Sequence, residues 1–210
     1  MVLVRIGKHK YLLIFTALFM VVFLSSCATT TSNSSSGFKP SDKLLEMELE
    51  LSKIKEADEE ASGLAQQLKE KGFPIAIYEH YPSKPNSADG VNVSIAWNNL
   101  SPKEIKYITF TVKPYNAVDD VVFCNVSGDA SYSLKVTGPI KAWNMDDNEF
   151  HFWENVWYNN TIKRIEIEQI DIIYMDNSEV SITASEIKEM FIDRFALYRE
   201  YGVSSIDYFF

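Results

Sequence analysis

A mainly β fold is predicted for this chain: an antiparallel β-sandwich preceded by one long helix and closed by a docked C-terminal helix. Two observations predict it. The apolar repeat changes from a helical period to a period of two after Gly72, and the period-two runs are short and separated by turn residues. A third feature, Thr183 followed by Glu186 ahead of a new apolar stripe, marks where a helix resumes.

The chain opens with Arg5, Lys8 and Lys10, followed by an uncharged apolar run from Tyr11 to Leu24. A basic head ahead of such a run is the order of an export signal. The run reaches about 21 Å as a helix, short of the ~30 Å hydrocarbon core of a bilayer. Leu24-Ser25-Ser26-Cys27 follows directly. This string resembles the lipobox of bacterial lipoproteins. The resemblance implies cleavage before Cys27, a diacylglycerol on its thiol, residues 1–26 as signal peptide, and a cell-envelope location. That location is the outer membrane in a Gram-negative cell and the outer face of the plasma membrane otherwise. Membrane contact is then expected through the lipid on Cys27, since each buried methylene contributes about 0.8 kcal/mol.

Loss of residues 1–26 removes three cations and none of the 29 acids, so the formal charge moves from −9 to about −12. Such a chain repels phosphate backbones, and no nucleic-acid partner is expected. With Cys27 lipidated, Cys124 is the one thiol left, so the core rather than a disulfide must hold the fold. Triplets such as Asn92-Val93-Ser94 match a glycosylation acceptor and are read as chance in a bacterial lipoprotein.

Residues 27–40 contain a Ser/Thr-rich polar stretch with nothing to bury, and read as a flexible tether with a span of about 20 Å. Residues 41–72 read as the long helix, with Ser41 at its N-cap and Gly72 at C′. Leu44, Met47, Leu51, Ile54, Asp58, Ala61, Ala65 and Leu68 alternate steps of three and four, the a/d seam of a coiled coil. Self-association or a partner helix through residues 42–71 is one reading. A helix packed on its own domain, or standing as a stalk, is the other.

Residues 73–183 form the expected sandwich. Val91, Val93, Ile95 and Trp97 alternate with Asn92, Ser94 and Ala96, and Ile108, Phe110 and Val112 with Thr109 and Thr111. Further strands are predicted at Ile75–Tyr78, Val121–Val126, Ser131–Thr137, Phe150–Tyr158, Ile162–Tyr174 and Glu179–Ile182. The apolar phase shifts between Ile167 and Ile170, which predicts a β-bulge at Glu168 or Gln169. In residues 184–210, Ile187, Met190, Phe191, Phe195 and Tyr198 line one face of a single helix ending at Gly202, and Ser204–Phe210 is a candidate edge strand.

The stretch VSIAWNNLSPKEIKYITFTVKPYNAVDD, residues 93–120, resembles the immunoglobulin-like sandwich domains of bacterial surface lipoproteins, including the FxLYD type. The resemblance implies a non-catalytic module without an active site, with Trp97 as a core tryptophan.

Candidate chemistry is sparse. His80 and His151 lie in no nucleophile motif, Cys124 reads as a buried inert thiol within a strand, and no zinc spacing occurs. Asp119-Asp120, Asp146-Asp147 and Asp176 are acids typical of turns rather than a calcium loop, so no catalytic residue, metal or cofactor is expected. The sharper candidate is the aromatic cluster around Trp143, His151, Trp153, Trp157 and Tyr158, with Phe150 and Phe152 inward and His151 and Trp153 outward. Exposed, it would bind a protein partner, expected to be another envelope protein; the alternative is a stacking platform for carbohydrate.

Overall fold

The computed structural model describes residues 42–145 and 149–204. Cys27, the signal peptide, the tether, Ser41, Asp146-Asp147 and the tail beyond Ser204 lie outside the described residues. Helix α1 spans Asp42–Glu70. Seven strands follow: β1 (Ile75–Pro82), β2 (Gly90–Asn99), β3 (Ile105–Tyr115), β4 (Tyr132–Ile140), β5 (Glu149–Tyr158), β6 (Arg164–Tyr174) and β7 (Glu179–Thr183). Two short helices, α2 (Ala184–Met190) and α3 (Arg194–Glu200), complete it.

The strands form two antiparallel sheets, one ordered β1-β2-β5 and the other β4-β3-β6-β7. Their facing residues build the main core around Trp97, Phe110, Ile95, Ile108, Ile170 and Trp157. In an immunoglobulin constant domain the fourth strand pairs with the fifth. Here β4 crosses to the other sheet and pairs with β3, Phe110 opposite Leu134. On β6, Thr111 faces Gln169 while Val112 faces Ile167, so Glu168 is the extra residue of a bulge. The phase shift in the sequence foretold it.

A second core lies on the outer face of the three-stranded sheet. Ala57, Ala61, Ala65 and Leu68 of α1 pack with Ala76, Tyr78, Ala96, Leu100, Ile192 and Leu197. The small side chains at these positions let the helix axis approach the sheet. The residues that weaken a coiled-coil seam are thus the ones that dock α1 on its own domain. α1 ends in a Schellman motif: Gly72 has φ +85°, Phe73 N–H donates to Leu68 O and Gly72 N–H to Lys69 O. Because helices cover one face and the sandwich core the other, β2 is buried on both sides along almost its whole length.

Two expected elements differ. Val121–Val126 is a loop: Cys124 N–H donates to Asp129 O, and only Val121 bridges, to Tyr115. The C-terminal helix is two helices. The Thr183–Glu186 capping box starts α2 as expected, but Phe191 to Asp193 runs extended, bridging Ile77 and donating Ile192 N–H to Ile77 O. Asp193 then caps α3 by accepting from Ala196 N–H at 2.8 Å. Gly202, at φ +68°, closes α3 with its N–H on Arg199 O.

Candidate functional site

The aromatic cluster divides between core and surface. Trp157 is 0% exposed and Trp153 4%. Both belong to the main core. His151 stacks on Trp97 with ring centroids 5.9 Å apart, and its Nε2 stands 3.5 Å from the buried Glu149 Oε2. Tyr158 is half-buried against the same core. The expected orientation of β5 is therefore reversed: His151 and Trp153 point inward, and Phe150 packs on the helix side with Met145. Alternation on β5 could not fix the direction, because both faces of this sheet are covered.

Trp143 is the exception, 45% exposed, in the β4–β5 connection. Its backbone takes φ +53°, unusual for so bulky a residue, and Lys69 Nζ sits 4.1 Å from its ring centroid. The five residues proposed from sequence thus form no common surface.

The surface that sequence reading missed is the β3–β4 loop. Asn116 starts it, its side-chain oxygen accepting from Val118 N–H and Asp120 N–H, both at 3.0 Å. Between those two residues, Asp119 adopts φ +65° and receives Arg164 Nε at 2.8 Å. Val122 and Cys124 turn into the core. Further along, Asn159 Nδ2 donates to Phe123 O and Trp157 Nε1 to Ala130 O, each at 3.0 Å. Asn125 N–H reaches Tyr158 O. A loop whose backbone groups are met this fully is held in one shape.

Held outward on that frame are Val118, Val121, Phe123 and Val126, with Phe123 59% and Val126 75% exposed. The alternation of Val121 to Cys124 is real, but it serves a loop pinned to β5 and β6 rather than a strand. From Asn116 to Ser131 there is no Lys or Arg, while Asp119, Asp120 and Asp129 are present. The arrangement can offer apolar contact framed by carboxylates.

Cys124 lies beneath this loop. Its Sγ accepts from Tyr158 N–H at 3.4 Å. Burial pushes the thiol up, but the hydrogen bonds from Ser127, Tyr158 and Val126 outweigh it and bring it down to about 7. Among the described residues, no group of three or more His, Cys, Asp or Glu is placed to hold a metal ion. No helix among them is long and apolar enough to cross a membrane.

No protein-family model matches the sequence. No curated protein matches it either. Among solved structures the chain is similar to IrmA from Escherichia coli, at 12% identity and a TM-score of 0.38, covering 57% of this chain and 89% of that one.

Proposed function

We propose that this chain is a lipid-anchored, non-catalytic interaction module of a bacterial cell envelope, displayed on a short tether from Cys27 and bound to another envelope protein. The observation that carries the interaction reading is the pinned loop from Asn116 to Asp129 with Val118, Val121, Phe123 and Val126 outward. Exposed apolar side chains gathered in one place mark interaction surfaces. A loop already fixed in shape loses little freedom on binding, which raises affinity for a given contact. Asp120 and Asp129 favour a partner that brings Lys or Arg to the rim. The anchoring reading rests on Leu24-Ser25-Ser26-Cys27.

The test places a photo-cross-linking amino acid at Phe123, or at Thr137 on β4 as a control, in the full chain in intact envelopes. A discrete adduct from Phe123 that disappears with Val126→Asp supports the reading. No adduct, or the same adduct from Thr137, overturns it. The mass of the N-terminal peptide reports the lipid on Cys27 separately.

Carbohydrate recognition has one carrier left, Trp143, whose ring is exposed beside Lys69. Glycan-array binding abolished by Trp143→Ala would favour that second reading.

A further inference from the structure

We propose that the first half of α1 pairs with the same stretch of a second copy of this chain, parallel and in register. The inference rests on the anchored-module reading for its orientation. Leu44 and Leu51 occupy a positions, and Met47 and Ile54 occupy d positions, of two consecutive heptads. Beyond them the seam is closed within the chain. Asp58, the next a residue, receives Arg194 Nε, Arg194 Nη2 and Tyr198 Oη, and Ala57, Ala61, Ala65 and Leu68 are buried in the second core. Met47 and Leu51 remain exposed, and Leu44 and Ile54 are half-buried.

Charge on the flanks supports one register. Lys43 and Glu50 stand at g, Glu48 and Lys55 at e. In a parallel pair each g residue meets the next e residue of the partner helix, so Lys43 faces Glu48, opposite charges, while Glu50 stays with its own chain, where it accepts from Ser204. A slip of one heptad sets Lys43 against Lys55 and disfavours that register. An antiparallel pair also satisfies the charges. Two chains tethered at their N-terminal sides to one bilayer favour the parallel arrangement. Two heptads are fewer than the three or four that sustain a coiled coil in free solution. Docking of the second half already forms the helix, which removes the nucleation penalty, and a shared membrane raises the effective concentration.

The test uses the full acylated chain in phosphatidylcholine vesicles, with Leu51→Cys compared with Glu56→Cys at the outward f position. Oxidation should link Leu51→Cys chains about tenfold faster, a gain set by effective concentration. Met47→Asp should remove that gain, and in a mixture of Leu44→Cys chains with Leu51→Cys chains of a distinct mass no mixed-mass dimer should be linked. Equal rates at the two single positions, or mixed-mass dimers in the mixture, would overturn the proposal. The mass of the N-terminal peptide separates the two readings. Acylated chains that fail to link through Leu51 overturn the pairing and leave the anchoring intact. Unacylated chains that link through Leu51 when concentrated keep the pairing and remove the anchoring.

Discussion

Arg194 donates two hydrogen bonds, Nε at 2.9 Å and Nη2 at 2.7 Å, to one carboxylate oxygen of Asp58, joining α3 to the middle of α1. Both side chains are largely covered, at 14% and 23% exposure. Removing one partner strands the other charge in a poorly solvated place. Asp58→Ala should lower stability by about 2–3 kcal/mol, under the value for a fully buried pair because both groups keep some water. Asp58→Ala with Arg194→Met should recover part of that loss. Urea unfolding of the three variants measures it, and a double variant less stable than Asp58→Ala would count against the pair.

His80 gives the fold a pH dependence. Burial holds its imidazole below the usual 6.5, against the opposing pull of Asp193 and Glu166. The depressed value means that the unfolded chain takes up the proton first. The contribution is complete above about pH 6.5 and is lost as pH falls from there toward the lowered native value. The urea midpoint should drop as pH falls below about 6.5, and His80→Phe should flatten the drop. An unchanged slope in the variant would assign the effect elsewhere.

The burial of the tryptophans predicts an optical result. Trp97 and Trp157 are fully buried, Trp153 nearly so, and Trp143 is exposed. Acrylamide should quench one accessible fraction of the fluorescence, and Trp143→Phe should remove that fraction. Strong residual quenching in the variant would contradict the inward direction of β5.

Cys124 should show a split behaviour. Hydrogen bonds from the loop favour its thiolate, with a midpoint of about 7. The sulfur is nonetheless covered by the fold. Alkylation by N-ethylmaleimide should rise with a midpoint near 7, level off far below the rate of a free thiol, and accelerate in urea. A midpoint close to 9.0, the value for an unperturbed cysteine, would exclude these hydrogen bonds.

Much of this architecture is legible in the residues themselves. The bulge at Glu168 follows from a phase change that only an extra residue can absorb. The capping box at Thr183 and the stops at Gly72 and Gly202 follow from local backbone chemistry. The candidate site was less legible, because alternation records the inside of a strand only when its other face meets water. β5 has neighbours on both faces, so His151 and Phe150 carried no directional signal. Val121 to Val126 alternated correctly yet found no partner strand, since Asn159, Trp157 and Asp129 hold that segment as a loop. The break before α3 lacks Pro and Gly. It arises from Ile192 N–H reaching Ile77 O across the fold.

The contacts between α1 and the end of the chain also have a mechanical consequence. Glu50 holds Ser204, Lys53 holds Gly202 O, Asp58 holds Arg194 and Glu60 holds Tyr201, so α1 is tied to the closing segment at four places. A pull on the N-terminal side of the helix meets these four links in sequence before any ladder bond of the sandwich bears load. α1 and α3 act as a strain relief, and the sheets with their outward loop keep their shape while tension is taken up at the joint.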